Sequence, residues 1–338
     1  MEELVVLMAR KIDVFAHILP RTYLDRLERQ LERTLSGPKL SYYREGVFRF
    51  DPALTDLDTR WRRLDLIDDY AQVLVLAVPP LEEVGVPNVA AEFAKLANDE
   101  MADLVSKHRD RFVGFAAALP LNDIDASVAE MDRAVAKLGA LGVQVFTNVL
   151  GVALDDARFE PIWTRIEELD RTVWLHPTRD ATWSDYPGES ESNYGLWWSL
   201  GWPYETAAAL ARLVYSGVME RHPGLKLIAH HGGGMIPHLS GRLGMGPGYR
   251  QVKDALPKPP LDYFGRFYAD TALFGASHAV RCALDFFTPA NVLFGTDMPL
   301  GPPDGVAATI ASIDSCRLPE ADRTAIYTGN ARRLLGIE

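Results

Sequence analysis

Four side chains able to hold a metal or move a proton each stand at the close of an apolar run. They are His17 after residues 11–16, His176 after 172–175, His231 after 225–230 and Asp297 after 292–296. Imidazole and carboxylate together suit zinc or a similar divalent ion, and a catalytic site of that kind needs three protein ligands and one open position. His17, His176 and Asp297 supply that count, which leaves His231 beside the metal as an acid/base group. Singly, each residue is a weak signal: a strand-end histidine is commonly structural, and Asp297 ahead of Met298-Pro299 would also serve as a turn or a helix cap. Their common position at strand ends is what argues for one site.

The neighbours of these residues sharpen the reading. His230 precedes His231, and the alternation of side chains along a strand sends it to the opposite face as a structural histidine. Gly232, Gly233 and Gly234 follow; without side chains they let the backbone take positive φ and approach a ligand or a helix closely. Asp13, Phe15 and His17 alternate onto one face of the first run, so Phe15 stands where a metal site would want a second ligand. His108, His222, His238 and His278 fall in expected helices or loops and carry no site role.

The elements that must position these groups alternate along the whole chain. Apolar strand-like runs at 11–20, 73–78, 112–119, 142–148, 172–177, 225–231, 267–271 and 292–297 are interleaved with helical spacing at 57–69, 89–108, 124–138, 159–170, 204–221 and 279–287. Continuous apolar runs of this kind read as strands buried on both faces of a parallel sheet. Eight such units predict a (β/α)8 TIM barrel, an α/β fold, as a single domain over residues 1–338. A doubly wound open sheet is the alternative, but no G-x-G-x-x-G follows any strand. In a barrel, the C-terminal strand ends form the catalytic rim, which is where the four residues fall. Residues 21–56, aromatic-bearing and mixed in charge, are expected as a long loop insertion after the first strand, serving as a lid, a binding loop or a plain surface excursion.

Composition limits the function classes. A 48% hydrophobic and 24% charged chain of 338 residues can bury a substantial core. A formal charge of −11 with no concentrated Lys or Arg argues against nucleic acid. Residues 4–9 are too short to span a bilayer and follow Glu2 and Glu3 rather than positive charge, so they are read as a short extra segment, with no membrane role. Cys282 and Cys316 form no metal or disulfide spacing, and the cytoplasm is the simplest compartment.

The chain resembles the metal-dependent amidohydrolase superfamily, in the branch of aminocarboxymuconate-semialdehyde decarboxylase and the γ-resorcylate-type hydroxybenzoate decarboxylases. The resemblance is carried by residues 12–20, Arg111-Phe112-Val113-Gly114, Leu175-His176-Pro177, residues 201–206, residues 229–234, Gly295-Thr296-Asp297 and Gly329-Asn330-Ala331. It implies one divalent metal held by the strand-one motif, His176 and Asp297, zinc first with manganese or magnesium as rivals. It also implies that His231 activates water or shuttles protons, and that Arg242 grips a substrate carboxylate, in some members across a dimer interface. Trp197, Trp198 and Trp202 would line the pocket or that interface, and the assembly would be a homodimer or higher homo-oligomer. Phe15 departs from the usual His-x-His or Glu-x-His. It is expected either to pack against an apolar face of the substrate or to leave the metal loosely held.

Three functions follow as expectations. The first is a non-oxidative decarboxylase of a small carboxylated aromatic or muconate-type compound, in which Asp297 or His231 supplies the proton. The second is a hydrolase of the same fold, acting on a C–C, amide or lactone bond. The third, motivated by Phe15, is a catalytically weakened binding protein.

Overall fold

The computed structural model describes residues 10–252 and 256–337. The short segment expected at residues 4–9 lies outside the described residues. Among the described residues ten strands occur in chain order: β1 (Lys11–Ile18), β2 (Tyr70–Leu76), β3 (Phe112–Ala118), β4 (Gly142–Phe146), β5 (Asn148–Val149), β6 (Val152–Ala153), β7 (Thr172–His176), β8 (Lys226–Ala229), β9 (Tyr268–Asp270) and β10 (Val292–Leu293). β5 and β6 form a small antiparallel hairpin. The other eight form one parallel sheet in the order β1-β2-β3-β4-β7-β8-β9-β10. Sequential parallel strands with helical crossovers are the (β/α)8 barrel expected from the sequence.

The barrel closes between its first and last strands although β10 is only two residues long. Val14 N donates to Phe294 O (2.9 Å), Asp297 N to Phe15 O (3.0 Å) and His17 N to Met298 O (2.7 Å), so backbone beyond β10 completes the ring. Inside it, Ile12, Val14, Phe15, Val73, Val75, Trp174, Ile228 and Leu293 pack as one buried cluster. Trp174 Nε1 donates to Val14 O (2.7 Å) across the barrel. At Gly142 a Cβ would fall 1.9 Å from Thr172 O, so the approach of β4 to β7 admits only glycine. A second, larger apolar layer lies between the strands and the outer helices.

Two departures from the sequence reading matter for the site. The pairing of β1 with β2 shifts register between Asp13 and Ala16. Val14 and Phe15 therefore both enter the interior cluster, where strict alternation would have separated them. The insertion after β1 is present but largely helical, with a helix at Arg21–Thr34 that buries Tyr23, Leu24, Leu27 and Leu31. Each fully buried leucine stabilises by about 1.5–3 kcal/mol, which holds the insertion on the barrel.

Candidate metal centre and active site

The strand ends deliver the expected residues to one rim. His17 sits near the end of β1 and His176 closes β7. β8 stops at Ala229, and the chain turns at once into a short helical segment, His230–Gly233, in which His231 takes φ 55° and ψ 49°. Gly232, Gly233 and Gly234 continue with positive φ, and a Cβ at Gly234 would lie 2.5 Å from Pro203 O. The alternation of an extended strand therefore ends one residue too early for its rule to apply. His230 does not face outward; its ring lies 3.8 Å from that of His231, and both point to the same cluster. Asp297, also with positive φ, follows β10 and is tied to β1 through its backbone N–H.

Asp297 is the hub. Its Oδ1 is 3.1 Å from His17 Nε2 and 3.4 Å from His230 Nε2, and its Oδ2 is 3.6 Å from His231 Nε2. Donor atoms of His17, His176 and His230 lie within 4.8 Å of one another, as do those of His230, His231 and Asp297. Close as these contacts are, they are not directed hydrogen bonds. Both ring nitrogens of His17, Nε2 of His230 and Nδ1 of His231 are buried without a hydrogen-bond partner. Buried nitrogens left unpaired in this way are costly unless something else satisfies them. A divalent cation does so, and the donor set fits one.

Residues behind the cluster fix its orientation. Pro177 O lies 2.6 Å from His176 Nδ1, so that nitrogen donates and Nε2 keeps its lone pair for the cluster. Asp270 takes His230 Nδ1 on Oδ2, while its Oδ1 accepts from Gly232 N (3.1 Å) and Ala272 N (3.2 Å). Asp13 is a brace rather than a ligand: it accepts from Tyr70 OH, Phe15 N (3.0 Å), Thr296 N (3.1 Å) and Thr296 Oγ1 (2.5 Å). From behind β1, Arg60 Nη1 donates to His17 O (2.8 Å). His230 and Asp270 were missed in the sequence. The signal for Asp270 was a carboxylate at the end of the seventh barrel strand, on the same rim as the others.

The charge states suit metal binding. Burial, reinforced by the neighbouring His17 and His230, pushes His176 well below the ordinary imidazole range. Burial would raise Asp297, but contacts with His17, His230 and His231 hold it well below the usual carboxylate range. Burial and the adjacent His230 lower His231. Burial alone would lower His230 too, yet Asp270 and Asp297 outweigh it and raise it to about 9. Neutral His176 and His231 beside an ionised Asp297 suit a divalent ion, whereas His230 must release a proton for its Nε2 to act as a ligand.

Phe15 packs beneath the cluster rather than against the cavity where a substrate contact was expected. It is fully buried, and its ring stacks on His230 at 3.7 Å and 11°. With the rings of His17 and His176 5.6 and 6.0 Å away, Phe15 is the apolar floor beneath the cluster. It lines neither cavity above it. The larger cavity, of about 710 Å³, opens over Asp297 between Tyr42 of the insertion and Trp197, Trp198, Trp202 and Phe274. A second, of about 220 Å³, shares Trp198, Trp202 and Phe274 and reaches His231. Trp198 is thus on the cavity wall, as expected. Arg242 is exposed on the helix Ile236–Leu243 and lines neither cavity.

Comparison with known proteins places the chain among relatives of one family. A family model described as amidohydrolase matches residues 42–337. The chain is 30% identical over 340 residues to 2-amino-3-carboxymuconate-6-semialdehyde decarboxylase of Dictyostelium discoideum, covering 97% of this chain and 92% of the relative. It is 30% identical over 302 residues to γ-resorcylate decarboxylase of Rhodococcus jostii, covering 83% and 89%. Among solved structures, dihydroxybenzoic acid decarboxylase from Polaromonas sp., with bound manganese and the inhibitor 2-nitroresorcinol, superimposes with TM-score 0.78 at 25% identity, covering 97% of each chain. With a matching family model over most of its length and a full-length relative of this similarity, the chain belongs to the amidohydrolase family.

Proposed function

We propose that this protein is a divalent-metal-dependent, non-oxidative decarboxylase of small carboxylated aromatic compounds. The observation that carries the reading is the convergence of unpaired, buried nitrogens of His17 and His230 with His176 and Asp297 at the foot of an aromatic-walled cavity. Kinship with decarboxylases, one of them holding manganese beside an aromatic inhibitor, supports it. His17, His176 and Asp297 hold the ion, with His230 completing the donor set on the side where Phe15 offers none. Bound there, a divalent ion supplies Lewis-acid charge that orients the substrate carboxylate and a neighbouring oxygen. Zinc is our first assignment, with manganese and magnesium as rivals.

The chain's own residues do the rest. Trp198, Trp202 and Phe274 sandwich the ring and exclude water. Asp297 and His231, the titratable groups at the cavity wall, move the proton. Asp297 is ionised in the resting site, so a proton from solvent first passes through His231 to Asp297 across their 3.6 Å separation. The bond between ring carbon and carboxylate then breaks, its electron pair stays on the ring carbon, and that carbon takes this proton from Asp297 while CO2 leaves, which returns both groups to their starting state.

Arg242, exposed and outside both cavities, would grip a carboxylate only in a neighbouring copy, so we assign the working form as a homodimer or higher homo-oligomer. The chain acts as one domain, in the cytoplasm. No described helix is long and apolar enough to cross a membrane. CO2 release from a panel of hydroxybenzoates by the metal-reconstituted protein tests the reading. Turnover of amide, lactone or ring-opened substrates without CO2 would replace it with the hydrolase.

A further inference from the structure

β10 ends at Leu293, so Asp297 stands on loop backbone and not on a strand ladder. Its placement depends on what grips the residues on either side. Thr296 is held by Asp13, which accepts from its N (3.1 Å) and its Oγ1 (2.5 Å). Met298 is held twice, its O accepting from His17 N (2.7 Å) and its Sδ from Gln72 Nε2 (3.1 Å). Both anchors lead back to one buried cation.

That cation is Arg60. With Leu64, four residues on, it faces the barrel from the helix Leu57–Leu64, and both side chains are buried. Arg60 Nε donates to Gln72 Oε1 (2.8 Å), and its Nη1 donates to His17 O (2.8 Å) and Ala53 O (3.1 Å). All of these acceptors are neutral, a costly setting for a buried charge. The contact with Gln72 decides which way its amide points. With Oε1 committed to the guanidinium, Nε2 must face Met298 Sδ and Tyr70 OH (3.1 Å). Tyr70 OH in turn donates to Asp13. Donors therefore run one way, from Arg60 through Gln72 and Tyr70 to Asp13, and hydrogen bonds aligned in this manner reinforce one another. The chain ends on the backbone of His17 and on the two residues that flank Asp297.

We infer that Arg60 and Gln72 are positioning residues that act together to set His17 against Asp297, whose Nε2 and Oδ1 lie 3.1 Å apart, for the ion the two share. Neither side chain lines the cavities above the cluster. The inference rests on the metal centre of the proposed function and not on the reaction carried out there.

The test reads metal binding directly. Gln72→Met keeps the length of the side chain and drops its amide; Arg60→Met keeps part of the stem and drops the guanidinium. Asn98→Ala is the control, because Asn98 is as deeply buried and bonds the Ala118 backbone but stands outside this chain. Cobalt(II) is titrated into each metal-free protein: the titration gives the affinity, the visible d–d absorption reports the coordination geometry, and urea unfolding gives the stability before loading. Both methionine variants should lose roughly 10- to 100-fold in cobalt affinity and show altered d–d bands. Asn98→Ala should lose stability and keep the affinity and spectrum of the parent. Because the two residues form one chain, the double variant should bind no more weakly than the weaker single variant.

Parent-like affinity and spectrum in Gln72→Met would overturn the inference, and this variant carries the test alone if Arg60→Met does not fold. Losses that simply add in the double variant, or an equal loss of affinity in Asn98→Ala, would overturn it as well. A parent that binds no cobalt would sink the metal centre and this inference with it, whereas a parent that binds while its variants match it would sink the inference alone.

Discussion

Replacing Asp270 by asparagine isolates the support of the histidine cluster. Asp270 is fully buried and makes three contacts, with His230 Nδ1, Gly232 N and Ala272 N. An asparagine keeps a carbonyl oxygen for the two backbone N–H groups, which accept no other change. What it turns toward His230 is an amide N–H2, a donor facing a donor. To accept from that amide, His230 Nδ1 must give up its proton, which moves the proton to Nε2 and removes the lone pair from the cluster. One hydrogen bond to a charged group is worth about 1.5–3 kcal/mol. At about 1.4 kcal/mol per factor of ten, metal affinity should fall roughly 10- to 150-fold. Competition with a chromophoric chelator measures the affinity, and thermal unfolding of the metal-free protein controls for folding. A variant with wild-type folding whose metal affinity stays within about twofold of the parent would refute the role given to Asp270 and His230.

Three other outcomes are expected. Phe15→Ala opens a void in the barrel interior and should cost about 3–5 kcal/mol in denaturant unfolding; a loss under about 1 kcal/mol would show that Phe15 is not the packed floor described above. Lys39 bridges Glu83 and Asp180 and thereby ties the insertion to the segment after β7. Lys39→Met should raise KM severalfold and leave kcat close to the parent, whereas an unchanged KM would remove any role for this tie. Burial raises the Glu82 carboxyl from 4.5 to about 8. The folded state then holds a proton the unfolded state has released, so stability falls as pH rises from about 4.5 to about 8. Glu82→Gln should flatten this decline, on the order of a few kcal/mol over the window, as read by urea unfolding at pH 5 and pH 8; parallel curves for parent and variant would contradict it.

The parts of this account that are local in sequence were legible there. Runs such as Val73–Val78 and Thr172–His176 announce buried parallel strands by composition alone, and His17, His176 and Asp297 follow from their position at strand ends. The barrel followed from the count of such runs. What stayed hidden depends on where an element stops or on what lies across space. His230 was misplaced because β8 ends at Ala229, and a period-two rule carries no information about a strand's last residue. On β1 a register shift between Asp13 and Ala16 defeats the same rule, and Val14 joins Phe15 in the interior cluster. The helix Arg21–Thr34 was overlooked among frequent charges, although Leu24, Leu27 and Leu31 keep helical spacing. Asp270 acquires its meaning only from His230, 40 residues away in sequence.

Anomalous diffraction at the metal edge, from crystals of the protein loaded with zinc or manganese, tests the central claim most directly. The account predicts one strong peak at about 2.0–2.2 Å from imidazole nitrogens of His17 and His176 and a carboxylate oxygen of Asp297, at the foot of the tryptophan-walled cavity. A cluster that stays empty while the ion binds elsewhere, with His17 and His230 instead paired through ordered water, would contradict it.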